Sequence, residues 1–450
     1  MHPGHSRREV YDGAMSFFRS HYGAIVVGSG PGGASVARTL AAAGARVLIL
    51  ERGGAAPLAG TLTQMAAMAA IPGKGAFFHR DASLLVRGIT AGGSSTVNFA
   101  TAAAPPAALF ARLGIDLAGD EQALRAELPL GPLPDSLVGP MAQRIMAAAQ
   151  DLGLGWRKLD KMIRPAICRT GCWRCMYGCP FGAKWTARDF LDDACRHGAQ
   201  LVPDARVEQV IVEQGRAAGV AVTAAGAVHM VRAPVVVLAA GGIGSPRLLH
   251  SSGLAPAAVP FFSDPVVAVM GSVDDLDGGA EVPMAAGLAL PDEGISFADL
   301  TLPRPMYGAF AAQVGRFDRL AAHARTLSVM VKIADEAGGA VGPRWADKTL
   351  TEADKAKFGR GVAVARDVLR LAGARHVFAS HHFAAHPGGT APIGEVVDAD
   401  LATATPGLYV CDAAVLPAPW GLPPTLTLLC LGRRLGRHLA GAVPAARSAA

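Results

Sequence analysis

Four of the seven cysteines crowd into twelve residues, Cys168-x3-Cys172-x2-Cys175-x3-Cys179-Pro180, while Cys195, Cys411 and Cys430 stand alone. A secreted disulfide framework would spread its pairs through a small domain, so the clustering indicates a metal or cluster site. Such short spacings let one loop wrap three or four thiolates around a cubane. The ending Cys-x-x-Cys-x-x-x-Cys-Pro is that of the bacterial ferredoxin run, with the first spacing one residue longer. No second set of cysteines exists, so Cys168, Cys172, Cys175 and Cys179 are expected to ligate one [4Fe-4S] cluster. Structural zinc also accepts four thiolates, but usually from two Cys-x-x-Cys pairs held apart by a longer loop. Free or redox-switching thiols are the remaining alternative.

A second constellation opens the chain. Ala24-Ile25-Val26-Val27 reads as a buried parallel strand running into Gly28-Ser29-Gly30-Pro31-Gly32-Gly33, then an Ala-rich helix stopped by Gly44. Val47-Leu48-Ile49-Leu50 is the next strand, ending at Glu51. Gly28 permits the tight turn, Gly30 lets a pyrophosphate approach the backbone, and Gly33 packs helix against strand. The helix N-terminus offers unpaired N–H groups and partial positive charge to the phosphates. Glu51, eighteen residues past Gly33, stands where a ribose diol would donate hydrogen bonds. A dinucleotide site follows, with FAD and NAD both open at this point.

Later segments narrow the choice. Arg87-Gly88-Ile89-Thr90-Ala91-Gly92-Gly93-Ser94-Ser95-Thr96-Val97-Asn98 is a glycine–serine loop closing on an amide, and Val235–Pro246 is a strand, a glycine turn and a helix start. His386-Pro387-Gly388-Gly389-Thr390, Cys411-Asp412-Ala413 and Pro423-Pro424-Thr425 follow in order. With the Gly28–Gly33 turn, these segments make the chain resemble the glucose–methanol–choline (GMC) oxidoreductases along nearly its whole length, most weakly between about Phe261 and Val377. The resemblance implies FAD as cofactor. It implies that Gly28, Gly30, Gly33 and Glu51 hold the adenosine and pyrophosphate, with Gly93, Ser94 and Asn98 near the ribityl chain and flavin ring. Val207 should meet the adenine through its backbone, and Asp412, Ala413 and Pro424 should lie near the pyrophosphate and pyrimidine edge.

The resemblance also assigns His386 as the base facing an alcohol hydroxyl, a role suited to a side chain that titrates near neutrality. His381 and His382 lie just upstream, and His382 is a second candidate. One departure stands out. The family's second polar residue, before the final helix, is here Pro423 or Leu422, and neither side chain can hydrogen-bond. The expected activity is dehydrogenation of a CH–OH group, with electrons passing through the cluster to a ferredoxin, cytochrome or quinone-linked acceptor. A ferredoxin-fed reductase of a C=C or C=O bond and a non-catalytic electron-transfer subunit are the alternatives.

These residues require a frame. At 450 residues, 51% apolar and only 17% charged, the chain can bury a large core. The expected fold is α/β, a Rossmann-type FAD-binding domain (23–104, 158–258 and 384–445) interleaved with a smaller α+β substrate domain (105–157 and 259–383), after an N-terminal extension, 1–22. The 42 Lys and Arg are dispersed at a net charge of +6, which argues against nucleic acid as a partner. No apolar stretch is long enough for a membrane span. Ser6-Arg7-Arg8 faintly resembles a twin-arginine signal, but Asp12, Arg19 and His21 interrupt the apolar region such a signal needs. The expected location is cytoplasmic.

Overall fold

The computed structural model describes residues 18, 19 and 21–443; the Ser6-Arg7-Arg8 motif lies outside them. Five short strands form a parallel sheet in the order Leu408–Val410, Val235–Leu238, Ala24–Val27, Val47–Leu50 and Gln200–Val202. The three central strands are uninterrupted aliphatic runs buried on both faces, the pattern of a sheet covered on both sides. Helix Pro31–Ala42 begins with proline in its first turn, where a missing N–H costs nothing. It packs against the last helix, Thr425–Ala440, and against Ala187–Arg196. An antiparallel meander, Arg206–Glu213, Arg216–Ala224 and Ala227–Arg232, stands beside this sheet.

The second layer is a nine-stranded mixed sheet centred on Val266–Ser272 and Thr326–Ile333. Side chains alternate across it with period two. Val267, Val269, Leu327, Val329, Val331 and Ile333 pack with Phe358, Ala365 and Leu369 of helix Glu352–Leu371. Val266, Ala268, Met270 and Met330 pack with Tyr307 and Phe310 of helix Arg304–Gln313. Lys332 shares the parity of Ser328 and Met330 and is buried like the rest of its strand, so this sheet carries a charge in its interior.

The segments 105–157 divide between the layers. Helix Ala118–Glu127 packs on the final helix, and helix Pro140–Asp151 packs on Glu352–Leu371. Strands Ala76–Phe78 and Leu84–Val86 pair into the nine-stranded sheet, joining it to the phosphate-turn region on their chain. Among the described residues no helix is long and apolar enough to cross a membrane.

Candidate active site

The phosphate turn is shaped by absent side chains. Gly28 adopts φ +103°, and a Cβ there would overlap the Ala239 carbonyl of the neighbouring strand. Gly33 is equally closed, against the Gly28 carbonyl. Gly30 differs, because a Cβ built on it meets nothing within 4 Å. The turn is therefore tight beneath and open above, at the N-terminus of helix Pro31–Ala42.

Side chains lock this opening to its surroundings. Glu51 accepts hydrogen bonds from the Ser29 amide and hydroxyl at 3.1 and 2.5 Å and from the Gly53 amide at 2.7 Å. Burial pushes its carboxyl above the usual range, against those hydrogen bonds. Ser29 in turn accepts from the Gly92 amide at 3.1 Å, which fixes the glycine–serine loop over the turn. Gly93 follows in the same turn, and Ser94 Oγ accepts from the Gly88 amide at 3.0 Å. Asn98 Oδ1 accepts from the Ala100 amide, while its Nδ2 lies 3.5 Å from Thr425 Oγ1, beside Pro424 at the head of the last helix.

Asp412 is a junction. Its carboxylate accepts from the Gly241 amide at 2.8 Å, the Ser245 hydroxyl at 2.5 Å and the Ala414 amide at 2.7 Å. It thereby ties the second glycine turn to the short helix beginning at Ala413. Val207 sits in the meander, paired with Val222 and buried.

Arg87 is a charged residue beside the glycine turns that sequence reasoning did not single out. Its side chain is buried, and its Nε donates to the Lys74 carbonyl at 3.1 Å. Burial, then the charges of Arg247 and Arg52, push it down to about 9, against the pull of Glu51 and Asp412. Among the described residues it makes no ion pair. A buried guanidinium beside two glycine turns is a ready partner for a diphosphate. The available signal was its place at the head of the glycine–serine loop.

His386 lies in a loop bolted to both layers. Its amide donates to the Ser263 carbonyl at 3.3 Å, and Gly388 and Phe262 exchange backbone hydrogen bonds at 2.9 and 3.1 Å. Thr390 Oγ1 donates to the Gly242 carbonyl at 2.9 Å, and Gly389 N to the Ala413 carbonyl at 3.0 Å. The imidazole Nδ1 stands 2.9 Å from Lys332 Nζ and 3.6 Å from Asp264 Oδ2. Lys332 and Asp264 pair at 2.9 Å, both buried. His386 Nε2 has no protein partner among the described residues, and the side chain keeps 28% of its surface exposed. Burial, then Lys332, lowers the His386 pKa; Asp264 opposes them.

His382, the second candidate, is engaged elsewhere. Its Nε2 lies 3.2 Å from Asp81, its ring meets that of His381 at a tilt of 58° with centroids 4.6 Å apart, and burial drives its pKa down to about 4. His381 Nε2 bonds the Asp81 carbonyl at 2.9 Å. Lys332 and Asp264 left almost no trace in the sequence, because they meet His386 only through the fold.

The cysteine loop departs from expectation. Cys168 follows one short helical turn and Cys175 is buried within a second, while Cys172 and Cys179 lie in the chain on either side of that second turn. Among the described residues no three His, Cys, Asp or Glu side chains are grouped to hold a metal ion. Burial also pushes the Cys175 thiol up to about 11, away from the thiolate. The ligand set expected for [4Fe-4S] is thus not assembled in this structure.

Known proteins share this architecture. Pyridoxine 4-oxidase from Mesorbium loti superposes with a TM-score of 0.71 at 18% identity, covering 93% of this chain and 99% of that one. Formate oxidase from Aspergillus oryzae gives 0.72 at 16% identity, covering 94% and 98%. In sequence, an uncharacterized GMC-type oxidoreductase of Mycobacterium tuberculosis is 30% identical across 91% of this chain and 74% of its own length. A long-chain-alcohol oxidase of Arabidopsis thaliana is 26% identical across 92% and 66%. Residues 24–268 and 309–432 match the GMC oxidoreductase family from the first parallel strand to the last helix. The chain belongs to that family, and it is an FAD-dependent oxidoreductase.

Proposed function

We propose that this chain oxidises a CH–OH group of a small alcohol, with His386 receiving the hydroxyl proton. Bound FAD would supply the hydride acceptor. The open face of Gly30, the helix N-terminus behind it and the buried Arg87 suit its diphosphate. Glu51 retains one lone pair, on Oε1, for a ribose hydroxyl beyond the three hydrogen bonds it already accepts. The observation that carries the reading is the His386 loop. It is held to Gly242 and Ala413 on the cofactor side, while Nε2 stays free. Trp420 meets Phe110 edge-on at 6.4 Å beside the partly exposed Leu422, so we place an apolar alcohol body there. The test is anaerobic stopped-flow bleaching of the flavin by a panel of alcohols from short to long chain. His386→Ala should slow bleaching about 10²–10⁴-fold at unchanged FAD content. Bleaching at the wild-type rate would remove His386 from the chemistry.

A second reading concerns the cysteine loop. Lys184 Nζ donates to the carbonyls of Thr96, Asn98 and Cys175 at 2.8, 3.0 and 2.8 Å. Lys161 Nζ donates to those of Phe99, Pro283 and Met284. Both ammonium groups are buried, and neither forms an ion pair with a carboxylate among the described residues. Negative charge on the neighbouring cysteines would neutralise them. We infer that the loop rearranges around an iron–sulfur cluster that serves an external redox partner. Iron, zinc and sulfide analysis of anaerobically purified protein decides this. About four irons per chain supports it, and zinc or no metal sinks it.

A further inference from the structure

We propose that Lys332, held by Asp264, acts with His386 as a two-residue acid–base unit that replaces the polar side chain absent at Pro423 or Leu422. This rests on the reading of His386 given above. An ammonium group has donors and no acceptor. At 2.9 Å, charged Lys332 therefore donates to His386 Nδ1, which must present its lone pair. A neutral ring then carries its proton on Nε2, toward the open side. In that state His386 can only donate to a substrate oxygen.

To act as a base the unit must first release one proton. Nδ1–H then donates to the uncharged Lys332 amine, and Nε2 is free. In the reaction the substrate O–H bond breaks and its proton goes to Nε2, while the Nδ1 proton passes to Lys332 Nζ. Bound FAD would supply the acceptor for the C–H bond's electron pair and hydrogen, as hydride, as C=O forms. The unit gains one proton, and the restored ammonium again faces Asp264.

The surroundings suit this task. Asp264 holds φ +48°, a left-handed conformation that non-glycine residues adopt at a cost, and its Oδ1 is buried with no partner among the described residues. Its backbone is pinned by Asp335, which accepts from the amides of Ser263 and Asp264 at 3.1 and 2.8 Å. Lys348 neutralises Asp335 at 2.5 Å. Asp264, Asp335 and Lys348 are thus the charged groups facing the unit. Burial lowers the pKa of Lys332 against the pull of Asp264, which brings release of its proton within reach. Burial raises Asp264 less than Lys332 and His386 lower it, so it stays ionised.

The experiment reads the tautomer and the pH profile in the flavin-loaded full chain. Nitrogen-15 NMR of His386 should show the Nε2–H tautomer in wild type and Nδ1–H, facing Asp264, in Lys332→Met. The alcohol-driven bleaching rate should rise with pH along one limb in wild type. In Lys332→Met that limb should move to lower pH, toward the ordinary histidine value of about 6.5. If that variant fails to fold, Lys332→Met combined with Asp264→Asn keeps the site neutral and should show the same limb shift. Lys332→Arg cannot release its proton, so it should keep Nε2–H and bleach at least about 10²-fold more slowly at every pH. A wild-type Nδ1–H tautomer, an unmoved limb, or full-rate bleaching by Lys332→Arg would each overturn the proposal. Normal bleaching by His386→Ala would instead remove the reading beneath it, so the two failures are distinguishable.

Discussion

The glycine turn at Gly28–Gly33 and the histidine loop, which is tied to Gly242 and Ala413, are built by opposite means. The turn is made by removing side chains until backbone touches backbone, as at Gly28 against Ala239. The histidine loop is made by burying charge: Asp264 with Lys332, and Asp335 with Lys348, all nearly inaccessible. A glycine turn holds its shape through sterics and has little tolerance at one atom's distance. A buried ion pair holds its shape only while both partners remain, since either charge alone is costly in a low-dielectric interior. The turn should therefore fail by overlap, and the loop by loss of neutrality.

The largest contrast lies inside the turn itself. Gly28→Val would force a side chain into the Ala239 carbonyl at a positive φ, so we expect loss of the folded protein. Gly30→Val meets open space and should fold with an unchanged far-ultraviolet circular dichroism spectrum, yet retain no flavin, because the added carbons occupy the diphosphate position. Flavin content of the two purified proteins checks this. A Gly30→Val protein that keeps full FAD would show that the open face of Gly30 is not where the cofactor lies.

The same contrast explains what could be read before folding. Strand, turn, helix and second strand are contiguous from Ala24 to Glu51, so spacing alone announces them. The α/β frame was equally plain, since the parallel strands are short aliphatic runs ending in glycines. Lys332 and Asp264 are 68 residues apart and meet only because Val266, two residues past Asp264, pairs with Lys332 in the folded sheet. The burial of Arg87 was hidden for a different reason: a motif shows that an arginine is present, not that it is buried with no ion pair among the described residues. The cysteine run is a case of its own: its spacing matches a ligand set, while among the described residues no three such side chains are grouped to hold a metal ion.

A smaller effect tests whether pairing, rather than burial, is what makes the charged network stable. Asp335 and Asp299 are both fully buried carboxylates, but Asp335 has Lys348 at 2.5 Å. Asp299 has no cation within ion-pair distance among the described residues; it accepts from the Ala286 amide at 2.6 Å, and its Oδ2 has no partner. Asp335→Ala should destabilise the protein by about 3–5 kcal/mol, since it strands the Lys348 ammonium and frees the Ser263–Asp264 backbone. Asp299, without such a partner, should make stability depend on pH. Burial raises its pKa from 3.8 to about 6. Between those values the folded protein binds a proton that the unfolded chain has released, so stability falls as pH rises through the window. The loss amounts to about 2–3 kcal/mol by pH 7 and is absent below pH 4. Asp299→Asn cannot ionise and should lack this fall. Relative to wild type, the variant should therefore gain about 2–3 kcal/mol between pH 4 and pH 7, whatever its offset at pH 4. Urea unfolding of both proteins at the two pH values measures that difference directly. Parallel pH dependence in the two proteins would mean that Asp299 is ionised throughout, with Lys161 acting as its counter-charge at longer range.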